Sequence, residues 1–300
     1  MVGIGVLLGM VMALEVTPLS DRPPQPQTIY GGELVAPGDW PSVVAIDRSS
    51  LLCTGTLITP KLLLTAAHCF AGEPAPGKIR IAFGDQSPDA AWETVAESYG
   101  VHPDFCDPDD CKADLFDFAY VVLSDPAPAE YPPMKMMTTQ DQWDELMGID
   151  TPVTMVGYGL NENQLQGLKR VAETVITRFS DSGLEFQAGG MGVDSCQGDS
   201  GGPAFVFDGE GTPLLAGVLS RGYACGDGGF YGIPSSVLCW VSEDSGIDVR
   251  PNGCSECDCL NPDPDPSGCD RCTVGPGRPI DALAVLLPFA IAFAGRRRGR

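Results

Sequence analysis

The chain has 300 residues, enough for one large domain with a substantial apolar core or for two small ones. Forty acidic side chains stand against eighteen Lys and Arg, a formal charge of −22, and this argues against a nucleic-acid partner, because a polyanion would be repelled rather than steered in. The balance fits a basic substrate, although an acidic surface serves solubility by itself. Twelve cysteines in a Gly- and Pro-rich chain point to an oxidising compartment. No CxxC pair occurs among the first seven, which favours disulfides over zinc there.

In chain order, residues 1–14 read as a secretory signal, because the apolar run from Val2 to Leu14 precedes polar, Pro-rich sequence. No Lys or Arg precedes that run and no clear A-x-A site follows it, a departure that a start codon assigned too far downstream would explain. A buried helix is the weaker reading, since DRPPQPQ (21–27) would break its packing. Residues 15–28 read as a short Pro-rich pro-segment.

From Ile29 the pattern changes to short apolar runs punctuated by Gly, Pro and Asp. They are PSVVAI (41–46), GTLITPKLLLTAA (55–67), KIRIAF (78–83), FAYVVL (118–123), TPVTMVGYG (151–159), VAETVITRF (171–179), GGPAFVF (201–207) and PLLAGVLS (213–220). Runs this short, bounded by turn residues, predict strands of an all-β domain over 29–247. Asp141–Gly148 predicts a short helical turn. Residues 248–279 are rich in Cys, Pro and Asp with almost no large apolar side chains, so they form a disordered linker that cannot bury a core. Residues 280–300 hold an apolar stretch, Ala282–Ala294, and end in an Arg cluster, Arg296 to Arg300.

The chemistry concentrates in two motifs. Ser200 lies in DSCQGDSGGP (194–203), and a serine hydroxyl becomes a useful nucleophile only beside a base. The flanking glycines let the backbone approach a substrate, so that the N–H groups of Gly198 and Ser200 can form an oxyanion hole. Only two histidines are available as base. His68, in LTAAHC (64–69), ends a strand-like run; His102 precedes Pro103 in a surface turn and reads as structural. For a carboxylate to orient His68, Asp117 opens the apolar run DFAYVVL, and Asp114 competes with it.

These motifs resemble the trypsin-like serine proteases of the chymotrypsin fold. The resemblance covers residues 29–241 and rests on Thr65-Ala66-Ala67-His68-Cys69, on Gly198-Asp199-Ser200-Gly201-Gly202-Pro203 and on the chain order His, Asp, Ser. It implies two packed six-stranded antiparallel β-barrels with the site between them, a triad of His68, Asp117 and Ser200, and no cofactor. It also implies cleavage after Arg or Lys. Asp194 matches the carboxylate at the base of the family's primary pocket, and Ser220, Gly222 and Gly229 match its walls. Arg221 stands where the family often has Trp, and would disfavour basic residues upstream of the scissile bond. The loop at Asp85 matches a calcium site poorly. The resemblance pairs Cys53 with Cys69 and Cys196 with Cys225; closing a loop of about fifteen residues contributes roughly 3 kcal/mol in the chain-entropy model. Cys106 and Cys111 suit a local loop, and Cys239 is left to pair with the tail.

Ile29-Tyr30-Gly31-Gly32 resembles the family's mature N-terminus, whose ammonium pairs with the Asp preceding the nucleophile, here Asp199. Thr28 before it is not a tryptic site, so another protease, or activity without that cut, is expected. The tail resembles a bacterial MYXO-CTERM sorting signal, which implies a sorting enzyme and attachment to the cell surface or outer envelope. A plain membrane anchor is the rival, although thirteen apolar residues fall short of the about twenty of an ordinary spanning helix. Cys254, Cys257, Cys259, Cys269 and Cys272 also permit zinc, but no histidine assists. A protease-fold surface binding protein without catalysis is the alternative function; such relatives usually lack a triad member, and none is missing here.

Overall fold

Val, Ile, Leu and Thr dominate the short runs between turns, and such side chains fit a pleated, half-buried surface. In the computed structural model, which describes residues 29–48, 51–107, 110–111, 115–161 and 163–251, they form antiparallel strands. A two-residue strand, β1 (Glu33–Leu34), comes first. Next, β2 (Val43–Arg48), β3 (Leu51–Thr59), β4 (Leu62–Thr65), β5 (Arg80–Phe83), β6 (Trp92–Val101) and β7 (Ala119–Leu123) close into a barrel in the order β2-β3-β4-β7-β6-β5. The second barrel uses β8 (Pro152–Gly157), β9 (Arg170–Phe179), β10 (Glu185–Ala188), β11 (Pro203–Phe207), β12 (Pro213–Gly222) and β13 (Gly229–Gly232). Its order is β9-β10-β13-β12-β11-β8, closed by β8 against β9, with β1 paired to Arg170 and Val171 at the start of β9. Closure removes the free sheet edges that would otherwise template association.

The expected two six-stranded barrels are therefore present, with adjustments. GTLITPKLLLTAA is not one run but two strands turning at Pro60-Lys61. The helical turn expected at Asp141–Gly148 is α1 (Gln140–Leu146), entered through a capping box between Thr139 and Gln142. A second helix, α2 (Leu238–Ser245), was not expected; it ends at Gly246 in the left-handed conformation.

Both faces of the inner strands are covered. On β4, Leu63 points into the first barrel with Val44, Ile46 and Val121. Leu62 and Leu64 point the other way, into a shared core with Tyr120, Phe205, Leu215 and Val218. That shared core joins the barrels, and α2 closes it with Val241. A third cluster, including Ile29, Met155, Phe186 and Tyr231, fills the second barrel.

Three disulfides join Cys53 to Cys69, Cys106 to Cys111 and Cys196 to Cys225. Cys239 is also disulfide-bonded. The signal, the pro-segment, Asp114 and the tail beyond Pro251 lie outside them too. No helix among the described residues is long and apolar enough to cross a membrane.

A buried lysine ties the barrels at one end. Lys169 is 1 % exposed, and its Nζ donates to the carbonyls of Trp40 at 2.9 Å and Asp39 at 3.4 Å. Burial pushes its pKa down to about 8, against the opposing pull of Asp85 and Asp39. Between about pH 8 and pH 10.5 the unfolded chain therefore holds a proton that the native state has lost, and stability rises with pH. The expected gain over that window is about 3 kcal/mol relative to Lys169→Met, read as the difference between urea-unfolding free energies. A wild type that follows the variant across the window would refute it.

Candidate active site

β4 is buried along its whole length, and its exit delivers Ala66 and a 3-10 turn, Ala67–Phe70, to the rim of the first barrel. His68 sits on that turn. Its backbone N–H donates to Asp117 Oδ1 at 2.9 Å, and Nδ1 lies 2.7 Å from Asp117 Oδ2. A carboxylate only accepts, so Nδ1 carries the proton and Nε2 keeps its lone pair. Burial is the largest influence on the His68 pKa and lowers it. The hydrogen bond and charge of Asp117, helped by Asp107, outweigh this and hold the value above 6.5.

Asp117 lies just ahead of β7 and is 4 % exposed. Oδ2 also accepts from the Ser220 hydroxyl at 2.7 Å. Ser220, read from the resemblance as pocket wall, thus binds Asp117 through its side chain, a contact that the sequence reading missed.

Ser200 reaches the same place through the backbone. Its carbonyl accepts from Thr54 N at 2.8 Å, and Gly201 N–H donates to the Leu219 carbonyl at 2.8 Å. Gly201 has φ +78°, and a Cβ there would lie 2.0 Å from Thr65 Oγ1 and 2.7 Å from Ala66 N. Only glycine lets the Ser200 loop press this closely on the strand leading to His68. Cys69 Sγ lies 4.0 Å from His68 Nε2 and 3.8 Å from the Ser200 carbonyl oxygen, so the disulfide packs between the two residues.

Thr54, fully buried on β3, is a further residue that the sequence reading missed. Its Oγ1 donates to the Gly198 carbonyl at 2.9 Å and accepts from Tyr158 N at 3.2 Å. One side chain of the first barrel thereby fastens the Gly198–Ser200 loop of the second.

Asp194 is 1 % exposed. Its carboxylate accepts from Ser195 N at 2.7 Å, Ser195 Oγ at 3.2 Å and Gly228 N at 2.8 Å. Burial raises its pKa, against these bonds. Gly222 pairs with Gly229 across β12 and β13. A Cβ on Gly229 would come within 2.8 Å of Ser195 Oγ and 3.3 Å of Asp194 Oδ1, so a side chain would crowd the carboxylate. The Cys196–Cys225 disulfide braces the two segments beside it. The Arg221 guanidinium is mostly buried in a two-pronged pair with Glu185, at 2.9 and 2.7 Å.

Ile29 is buried in the second-barrel core, and the Tyr30 carbonyl accepts from Asp194 N at 2.8 Å. Asp199 is buried behind the Ser200 loop, accepting from Gly159 N at 2.7 Å and Cys196 N at 2.9 Å. Burial pushes its pKa up to about 7, with the Asp194 charge adding and these bonds and Arg170 opposing. His102 is elsewhere, stacked on Phe116 at 5.0 Å with Nδ1 accepting from Asp104 N. The metal-ligating side chains that cluster among the described residues are Cys53, Cys69 and His68, and both sulfurs are spent on a disulfide. The Asp85 carboxylate accepts from Gly38 N at 3.1 and 3.2 Å.

Paired barrels, an imidazole on a buried carboxylate and a Gly-flanked serine at their junction define the serine-protease class of domain. The trypsin family profile matches residues 29–240, and the chain belongs to that family. It is similar to mouse Serine protease 56, at 31 % identity over 76 % of this chain and 41 % of the mouse protein. Coagulation factor XII of Cavia porcellus is 28 % identical over 72 % of this chain and 40 % of that protein. Trypsin of Saccharopolyspora erythraea is 30 % identical over 70 % of this chain and 93 % of that enzyme. The chain thus spans about two fifths of the first two relatives and nearly all of the bacterial trypsin.

Proposed function

We propose that this protein is a secreted or surface-attached serine endopeptidase that cleaves proteins after Arg or Lys through an acyl-enzyme. Ser200 Oγ attacks the peptide carbonyl while His68 Nε2 takes its proton and later passes it to the leaving amine. Asp117 holds the imidazole in the required tautomer and stabilises the imidazolium that forms. The N–H groups of Gly198 and Ser200 receive the oxyanion. Asp194 receives the substrate cation, and Ser220, Gly222 and Gly229 shape the slot. No cofactor takes part.

The observation that carries this reading is the 2.7 Å contact between His68 Nδ1 and Asp117 Oδ2, which leaves Nε2 as acceptor on a residue packed beside the Ser200 loop. The buried Asp194 supports the specificity: a desolvated carboxylate rewards a cation and penalises an apolar group left facing it. Activation in this reading uses Ile29 and Asp199. Cleavage before Ile29 releases an ammonium that pairs with the Asp199 carboxyl, whose pKa burial pushes up to about 7, and the pairing favours its ionised form. The protease that makes this cut, and a sorting enzyme acting on the tail, are partners in this reading.

Hydrolysis of peptides ending in Arg, Lys, Phe and Ala at the cleaved bond tests it. The expected result is turnover of the Arg and Lys peptides alone, reduced about 10²- to 10³-fold in kcat/KM by Asp194→Ser. Turnover confined to Phe or Ala would keep the nucleophile and overturn the role of Asp194. Absence of both turnover and fluorophosphonate labelling, in folded protein starting at Ile29, would favour the binding protein.

A further inference from the structure

Carboxylates are seldom fully buried unless paired, and Glu185, the first residue of β10, is 4 % exposed. Its Oε1 accepts from Leu115 N at 3.2 Å and from Arg221 Nη1 at 2.9 Å, while Oε2 accepts from Arg221 Nη2 at 2.7 Å. The guanidinium in turn lies 4.5 Å from the Phe230 ring centroid. Each partner of Glu185 adjoins a residue that defines the surroundings of Asp117. Leu115 precedes Asp117 by two positions on the segment leading into the first barrel's β7. Arg221 follows Ser220, whose hydroxyl binds Asp117 Oδ2. A single carboxylate therefore ties the segment that carries Asp117 to the strand that supplies one of its hydrogen bonds.

That segment needs such a tie. Phe116, between Leu115 and Asp117, has φ +46°, a left-handed conformation that a bulky residue rarely adopts. Backbone of this kind persists only where its surroundings over-determine it. Stacking of His102 on Phe116 holds one side. The bond from Leu115 N to Glu185 holds the other. A partly open pocket of about 10 Å³, room for roughly one water, lies between Asp117, Glu185, Ser220 and Ser236, so the packing against the segment is not complete on that side.

We infer that Glu185 is a positioning residue: by binding Leu115 N from β10, with Arg221 balancing its charge, it sets the Asp117 carboxylate against His68. The inference rests on the proposed role of Asp117 as orienter of the imidazole. Released from Glu185, the segment relaxes from its left-handed turn, the carboxylate withdraws from Nδ1, and the influence that raises the His68 pKa weakens.

The test uses two double substitutions in the full-length protein, each removing the charge of Arg221 so that no unpaired ion is buried. E185M/R221M leaves Leu115 N without its acceptor; E185Q/R221M supplies a neutral one. The first readout is the His68 titration by NMR, simple to assign because the chain has two histidines. The second is the split of kcat from KM on an Arg peptide. In E185M/R221M the His68 midpoint is expected to fall by about half a pH unit or more. Its kcat is expected to fall roughly ten- to hundredfold, with KM much less affected. E185Q/R221M is expected to recover most of both. If E185M/R221M does not fold, Glu185→Asp, which keeps a charge for Arg221 but shortens the reach to Leu115 N, decides through the same readouts. An unchanged His68 titration in the variant lacking the acceptor, or equal loss in both double variants, would overturn the inference. A wild type that cleaves no peptide would defeat the peptidase reading instead, while the titration would still decide the role of Glu185.

Discussion

Ser200→Ala is expected to lower kcat on an Arg peptide about a millionfold while leaving KM within a few-fold of wild type. On the proposed mechanism the substitution removes the atom that forms the acyl bond and nothing that holds the substrate, a role that the mechanism assigns to Asp194 and the walls around it. Residual turnover would come from the oxyanion donors and substrate positioning, which survive the change. Stability should move by no more than about 1 kcal/mol, since the Ser200 side chain is only partly buried and the loop is held by main-chain bonds to Thr54 and Leu219. Steady-state kinetics at protein concentrations fixed by absorbance reads the effect, with active-site titration confined to the wild type. Full activity in purified Ser200→Ala would show that another residue is the nucleophile.

Asp117→Asn should cost about 10⁴-fold in kcat near neutral pH, the loss characteristic of this change in a Ser-His-Asp triad. The carboxylate makes three bonds, to His68 N, His68 Nδ1 and Ser220 Oγ, and an amide can reproduce only part of that pattern. If its oxygen keeps the bond to His68 N, its NH₂ faces Nδ1 and drives the proton to Nε2, where the base should be. The pH profile separates this from a loss of folding. In the wild type Asp117 opposes burial and holds the His68 pKa above 6.5, so kcat/KM should fall as pH drops through that raised value. Without the negative charge burial dominates, and the acid limb of the much lower profile should move to lower pH. An acid limb at the wild-type position would remove His68 as its source.

Much of the candidate site was legible because its residues cluster along the chain. His68 and its cysteine share one five-residue motif, and Asp194, Gly198, Asp199 and Ser200 share another. The strands were harder to delimit. On β4 and β7 every residue is buried, since one face fills the first barrel and the other fills the core between barrels. Their alternation is therefore invisible, and the runs read as strands only by length and composition. The opposite problem hid β6, whose mixed exposure breaks up any apolar run, and β13, two of whose four residues are glycine. The helix α2 escaped for a different reason: its four apolar residues, Leu238 to Val241, are consecutive rather than spaced at helical intervals, and they follow a 3-10 turn rather than a capping residue.

By itself the sequence determined which reactive side chains are present and their order, because local motifs carry them, while the two disulfides beside His68 and Asp194 followed from the family resemblance. Tertiary structure alone decided that Ser220 turns its hydroxyl to Asp117, that Thr54 fastens the Ser200 loop, and that Glu185 reaches Leu115. Those contacts span 103, 144 and 70 residues along the chain. They exist only once each barrel closes and the two pack, and no local pattern of residue types encodes a hydrogen bond between a strand and a loop so far apart along the chain.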